Sequence, residues 1–348
     1  MNKSMRRRFK LIFLISCTIV MLLMGLTVGG ASIPIRHVFH VLLYRLAGIQ
    51  LPQYVEVTTV GLIWNIRLPR VLLSFVVGSS LAVSGSVMQS VLKNPLASSY
   101  TIGVSAGAGL GAIIVISFGI SASFLGMFLM PVFAIVFGML TIMLAMVIAK
   151  RVSTQLSDYS IILVGMILSV FITAMIRTLA SKNASHAQQI LRWQLGSFAL
   201  RGWVVVGIVS GALLLLICCL LHDVKEMDVL TFGDEQASAI GIEVAKTKWR
   251  LIMLSTMLTG VAVAFVGMID FIDLIAPHVI RRFFGSEHRY VIPLSALFGG
   301  LFMVFSDLIA RTILAPSELP VGTVTALMGA PFFAYLFLKN GAKKRREL

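Results

Sequence analysis

The stretch FVGMIDFIDLIAPHVIRRFFGSEHRYVIPLSALFGGLFMVFSDLIARTILAPSELPVGTVTALMGAPFFAYLFL, residues 265–338, decides the fold. It holds Asp307-x-x-x-Arg311, then Leu319-Pro320-Val321-Gly322, then Gly329-Ala330-Pro331 at the opening of the last apolar stretch. Charged and helix-interrupting residues at membrane depth are costly unless they face protein or a water-filled path. A chain that sets them repeatedly at the ends of apolar segments reads as a conduit rather than an anchor.

The rest of the chain agrees. Of its 348 residues 58% are hydrophobic and 12% charged, against about 25% charged in soluble domains. Leu11 to Gly30, Val71 to Leu92, Gly202 to Leu221, Leu251 to Ile269 and Leu319 to Leu338 are each long enough to cross a bilayer, which takes about 20 helical residues. Asn94 to Ala149 carries no formal charge and reads as two spans folded back at Ser117-Phe118-Gly119-Ile120-Ser121. Tyr159 to Ile176 and Tyr290 to Ser306 are shorter but adequate. Cys17, Cys218 and Cys219 lie inside apolar runs and make no disulfide framework. Arg6, Arg7, Arg8 and Lys10 precede an apolar run too long for a signal peptide, so the N-terminal segment reads as a retained span.

A net charge of +15 raises nucleic acid as a partner, but the cations sit in short loops rather than in a patch between aromatics. The positive-inside rule explains them better. With the N-terminus inside, spans fall near 11–30, 71–92, 98–119, 122–149, 159–176, 202–221, 251–269, 271–284, 290–309 and 319–338, and most of the 29 Lys and Arg lie inside. The eighth segment is short and is interrupted by Asp273 and Pro277. Without that crossing Arg281, Arg282, Arg289 and the Lys343–Arg346 cluster would be outside, so charge favours about ten spans with both termini cytoplasmic. Gly85, Pro95 and Gly103 recur in spacing as Gly267, Pro277 and Gly285, the first frame entering on an inward span and the second on an outward one. That is the expectation for an inverted repeat. The expected fold is an all-α polytopic membrane protein forming one domain over residues 1–348, with repeat halves at about 60–200 and 245–340 and a cytoplasmic loop at 222–250.

Arg67-Leu68-Pro69-Arg70 and Arg311 fall at external span ends. They either snorkel to headgroups or form a basic face for an acidic partner, which the planar guanidinium fork suits. The loop from His222 to Arg250 holds Asp223, Glu226, Asp228, Asp234, Glu235 and Glu243. Within it Thr231 to Gly241 can form a short helix ended by Gly241, with Ala237 and Ile240 on one face. Such a helix is either a solvated turn or a plug for a partner's groove. No metal site, catalytic set or phosphate-binding Gly-Lys-Ser/Thr loop can be assembled. His37 with His40 lacks further ligands, and Glu287-His288 lacks a second histidine. No cofactor is expected.

Together the motifs resemble the permease family of ABC importers for iron-siderophores, haem and cobalamin, the FecCD type. The runs that carry the likeness are RLPR (67–70), VGSSLAVSGSVMQSVLKNPLA (77–97), GVSAGAGLGA (103–112), WQLGS (193–197), FGDEQASAIG (232–241), IAPHVIRRFFGSEHR (275–289), SDLIAR (306–311) and ELPVGTVTALMGAPFF (318–333). The resemblance implies a permease that hydrolyses nothing itself, sits in the bacterial cytoplasmic membrane, and works with a second permease (a copy or a paralogue). It further implies two cytoplasmic ATPases and an external substrate-binding protein. It assigns Arg67, Arg70 and Arg311 to docking of the binding protein. It assigns the segment holding Gly233, Asp234, Glu235, Ala237 and Gly241 to coupling with the ATPase. The family's pathway motifs correspond to Gln89, Asn94, Pro95, Gly103, Trp193, Gly267, Asp270, Asp273, Pro277, His278, Pro320, Gly322 and Pro331.

Two departures stand out. Asp273 occupies a position where the family usually has glycine, beside an extra acid at Asp270, and Ser98-Ser99 replaces the usual acid and proline. Desolvation of these acids is avoided if they sit wetted at the external mouth, which is the expectation, and the departures admit a heterodimer. The expected cargo is an iron-siderophore, with haem and cobalamin open. The rivals are an ion-driven secondary transporter using Asp270 and Asp273 as a relay, an intramembrane enzyme, and a non-transporting receptor.

Overall fold

The computed structural model describes residues 3–120, 126–152, 157–182 and 184–346. In chain order the helices are α1 (Lys3–Thr27), α2 (Ile35–Ala47), α3 (Val57–Gly61), a π turn (Leu62–Arg67), α4 (Leu68–Val91), α5 (Val104–Ser117), α6 (Leu129–Val152), α7 (Asp158–Lys182) and α8 (Ala187–Leu195). They continue as α9 (Gly202–His222), α10 (Val224–Leu230), α11 (Asp234–Ala239), α12 (Val244–Val266), α13 (Ile272–Phe284), α14 (His288–Thr312) and α15 (Val321–Arg346). No strand occurs among the described residues. Seven of these elements are long and apolar enough to cross a membrane, while α5 and Val321–Tyr335 of α15 are shorter apolar helices. The expected eighth span is α13, only 13 residues long with Pro277 inside it. The break expected at 117–121 coincides with the end of α5, with Ser121 outside the described residues.

The helix through α3, the π turn and α4 is the axis of the bundle. Its most apolar stretch is 89% buried, against 22% in α1 and in α7, so most of the apolar side of α1 and of α7 is left uncovered by the rest of this chain. Pro69 lacks the N–H that would bond the carbonyl of Asn65, and the π turn lies directly before it. A buried helix must satisfy its own polar groups. Ser74, Ser79, Ser80, Ser86 and Ser90 do so by donating to carbonyls three or four residues back. Small residues let α4 and α14 approach until Gly78 and Gly299 meet, where a Cβ on either would strike the other's carbonyl.

α12 ends at Gly267 (φ 84°) and the chain crosses without helix to Phe271, the left-handed residue (φ 71°) that opens α13. Gly267 is obligatory here on two counts: its backbone is left-handed, and a Cβ would run into the Trp193 carbonyl. The short amphipathic α2, absent from the expected spans, tucks Val38 and Val41 under the π turn beside Ile63.

Candidate functional site

At the external end, as charge assigns it, the three expected arginines converge on α1 and α14. Arg67 Nη1 donates to the carbonyls of Leu26 and Thr27, both at 2.9 Å, and its Nη2 to Ala31. Arg311 Nη2 donates to the Gly25 carbonyl. These carbonyls lie at and just past the C-terminus of α1, where a helix leaves acceptors unpaired. Arg70 grips Asp307 with Nε and Nη2 at 2.8–3.1 Å and Glu318 with Nη1 at 2.8 Å. Arg67 and Arg311 are buried. The expected outward basic face is therefore not displayed: the guanidinium groups turn inward to α1 and α14, and the exposed charge beside them is Glu318, 44% accessible.

A second group forms where the segments 193–197 and 267–271 meet the start of α15. Ser197 N–H donates to the Val266 carbonyl at 2.7 Å. A Cβ on Gly322 would lie 2.6 Å from the Leu195 carbonyl, and Tyr100 OH accepts the Ile269 N–H at 2.5 Å. Asp273 is corrected from wetted to buried. It is 1% exposed, its Oδ2 accepts the Ser99 N–H at 3.3 Å, and its Oδ1 has no partner. Asp270 is half-buried with one unpartnered oxygen. Ser99 Oγ continues inward to Ser84 Oγ at 2.9 Å and Thr259 Oγ1 at 2.8 Å. The burial follows from Gly85, where a Cβ would run into the Asp273 carbonyl, so α13 lies directly on α4.

The remaining motif residues frame these contacts. Gln89 Nε2 reaches the carbonyls of Asp273 and Leu274 at 3.5 and 3.4 Å. Asn94 Oδ1 accepts the Leu96 N–H beside exposed Pro95. Gly103 (φ 92°) opens α5. Trp193 is buried with its indole N–H unpartnered. The His278 ring meets Phe332 edge-on at 6.4 Å, next to Pro331 inside α15. Pro320 accepts the Thr323 N–H at 3.1 Å as α15 begins.

At the inner end α11 is tied to three spans by four charges that the sequence reading did not connect. Lys248 Nζ, on fully buried α12 surface, lies 2.5 Å from Asp158 Oδ1 and 2.6 Å from Asp234 Oδ2. Lys93 Nζ lies 3.0 Å from Asp158 Oδ2 and 2.7 Å from Asp234 Oδ1. Burial pushes the Asp234 carboxyl up, but hydrogen bonds and charge from Lys248 and Lys93 outweigh it and hold it below the ordinary range. Burial likewise lowers Lys93, and its bonds to Asp234 and Asp158 raise it above the usual lysine value. The expected shared face of Ala237 and Ile240 is corrected. α11 stops at Ala239, so Ala237 points into the protein while Ile240, past the helix, stays exposed with Phe232. Glu235 is also exposed. The stop signal itself is where expected: Gly241 N–H returns to Ser238 and Ile242 N–H to Ala237, a Schellman ending with left-handed glycine.

A polar chain starts beside this cluster. Asp228 Oδ1 accepts the His288 backbone N–H at 2.9 Å and lies 2.5 Å from its Nδ1. His288 Nε2 is 2.5 Å from Ser90 Oγ. Arg281 donates to Ser90 Oγ and the Ser86 carbonyl at 2.9 Å, and to Gln89 Oε1. α10, next to α11, is thereby linked to α13. Single-residue signals could not have found these partners, because each lies in a different helix.

A helical bundle with seven helices long and apolar enough to cross a membrane is that of a multi-pass membrane protein. Comparison with known proteins makes the class specific. The chain belongs to the FecCD transport family, whose sequence model matches residues 17–339. It is 33% identical over 346 residues to the hemin transport system permease protein HmuU of Yersinia pestis, covering 98% of both chains. It is 34% identical over 273 residues to the Fe(3+) dicitrate transport system permease protein FecD of Escherichia coli, covering 78% of this chain and 84% of that one. Among solved structures it superposes on an ABC transporter of metal-chelate type in an inward-facing conformation, with TM-score 0.82 and 29% identity over 95% of this chain and 99% of that one. The chain is accordingly a permease subunit of an ABC importer in the cytoplasmic membrane, and ATP hydrolysis belongs to separate subunits.

Proposed function

We propose that the chain carries an iron-siderophore complex into the cytoplasm. It would do so beside a second permease, above two ATPases and below an external binding protein. The observation that carries the transport reading is the four-charge cluster of Lys93, Asp158, Asp234 and Lys248, which ties α11 to α7, to α12 and to the turn after α4. An ATPase pair gripping exposed Phe232, Glu235 and Ile240 would pass its closure to those spans through fixed contacts. The polar chain from Asp228 to Arg281 would carry the same motion to α13. Nucleotide state biases such an inward/outward equilibrium only through differential contacts of this kind. Arg70, Asp307 and Glu318 would meet the binding protein at the other end, the guanidinium becoming available when its internal bonds exchange.

The ferric-chelate cargo is supported by the similarity to the ferric dicitrate permease and to the metal-chelate transporter. A haem cargo is the second reading, favoured by the match to the hemin permease over nearly all of both chains; cobalamin is the third, favoured by 35% identity over 280 residues to the vitamin B12 import system permease protein BtuC of Vibrio cholerae. Cells lacking the chain, then complemented, should be offered radiolabelled ferric siderophore, haem and cobalamin. Restored uptake of the ferric chelate alone is the expected result, and restored uptake of haem or cobalamin alone would reassign the cargo. Arrest by vanadate with survival under an uncoupler would exclude the ion-driven alternative.

A further inference from the structure

The side of α1 that faces α13 and α14 is lined by a run of cavities. A cavity of about 920 Å³ is walled on one side by Arg6, Arg7, Arg8 and Lys10 and on the other by Phe283, Phe284 and Tyr290. It shares Lys10, Phe283 and Phe284 with an apolar groove of about 260 Å³. That groove shares Phe13 and Phe298 with a third, of about 460 Å³, running past Cys17 and Met21. The three form one track, basic at the inner end and apolar beyond.

The charges are unspent. Among the described residues none of the four cations makes an ion pair, and Glu287, the acid at the cavity, is held by Arg289 at 2.5 Å. The Arg7 guanidinium stacks 3.2 Å over the Tyr290 ring, with Nη2 buried and unpartnered. Lys10 spends one donor on the Phe283 carbonyl at 2.9 Å. From Lys10 to Met21 the track follows about 16 Å of helix at ~1.5 Å per residue, roughly half of a ~30 Å hydrocarbon core. That is the depth of one leaflet. A phosphate alone would satisfy the cations and leave the grooves unfilled, whereas a lipid fills both.

We propose that this track binds one anionic phospholipid of the inner leaflet, its phosphate among Arg6, Arg7, Arg8 and Lys10 and an acyl chain along α1 between Phe13 and Phe298. Basic pockets between membrane helices on the cytoplasmic side are suited to such headgroups. The lipid would seat α1, and with it the helix end that Arg67 and Arg311 hold at the opposite surface.

The test is native mass spectrometry of the complete transporter released from bilayers of equal phosphatidylglycerol and phosphatidylcholine. Retained phosphatidylglycerol should exceed phosphatidylcholine by at least about fivefold, and millimolar inorganic phosphate should not displace it. Arg7→Gln with Lys10→Gln should bring the ratio close to one. Because those cations also guide insertion, Cys17→Trp, which fills the groove and leaves every charge, provides an independent arm and should lower retention of the same lipid. Equal retention of both lipids by the wild type, displacement by phosphate, or unchanged retention in Cys17→Trp would each overturn the assignment.

Discussion

The backbone N–H of Ser99 donates to Asp273 Oδ2 across 3.3 Å, and these are two positions at which the family resemblance leads one to expect proline and glycine. A proline at 99 has no N–H to give, and a glycine at 273 has no carboxylate to receive it. The two departures are thus halves of one contact, which joins the loop after α4 to the first turn of α13. Asp273 is 1% exposed, so its Oδ2 relies on that donor, while Oδ1 has no partner.

Substituting the pair should therefore be non-additive. Asp273→Gly alone strands the Ser99 N–H, and Ser99→Pro alone strands a buried carboxyl. The double variant removes both groups at once. Urea or thermal titrations of purified protein should give a coupling energy of about 1–3 kcal/mol, the range for groups sharing a buried hydrogen bond. Additive losses would mean that the contact carries no energy.

Removing Lys248 should uncouple α11 from the spans. Its ammonium is wholly buried between Asp158 and Asp234, and breaking a buried pair by taking away one partner costs about 3–5 kcal/mol. In Lys248→Met, ATPase stimulation by the permease should fall at least tenfold, and amides of 234–242 should exchange faster. A variant that kept full stimulation would sink the coupling role of the cluster. The pH response follows from the two shifts outside the spans. Asp234 is depressed, so its stabilisation is present above the unfolded carboxylate value of about 4 and is lost as pH falls through the folded one. Lys93 is raised, so its stabilisation is complete below the unfolded lysine value of about 10.4 and fades as pH rises through the folded one. Protection of 234–242 should stay level through neutral pH and drop at both extremes.

The sequence carried the span pattern and the glycine that ends α11, because each is written in local chemistry. Hydropathy marks burial in lipid, and Gly241 supplies a conformation few other residues adopt. Partners across helices were not legible. Nothing near Asp273 in the chain announces Ser99, and nothing near Lys248 announces Asp158. Direction was equally hidden: Arg67 beside an apolar run reads the same whether it reaches out to headgroups or back to Leu26. The matched spacing of Gly85-Pro95-Gly103 and Gly267-Pro277-Gly285 also joins unlike settings, since Pro95 lies in a loop and Pro277 inside α13. Spacing alone could not tell those apart.

Arg70→Lys should behave as a loss of function despite keeping its charge. Arg70 holds Asp307 by two nitrogens and Glu318 by a third, a fork that one ammonium cannot reproduce. Uptake should fall at least fivefold, and the affinity of the permease for the proposed external binding protein should change with it. Normal uptake in Arg70→Lys would show that the outer fork is dispensable.

The division of the molecule into an outer latch and an inner grip requires α11 to face the cytoplasm. Glu235 is exposed on α11 and forms no hydrogen bond or ion pair among the described contacts, so Glu235→Cys is a mild probe once Cys17, Cys218 and Cys219 are serine. A membrane-impermeant maleimide should label it in inverted vesicles and leave it unmodified in intact cells. The ATPase subunits, added to the vesicles, should protect it. The cations argue for this sidedness, since Lys93, Lys248 and Arg250 gather at the same end as α11, where short cytoplasmic loops collect positive charge. Labelling from outside in intact cells would reverse the orientation of every helix and place the four-charge cluster beyond the reach of any ATPase.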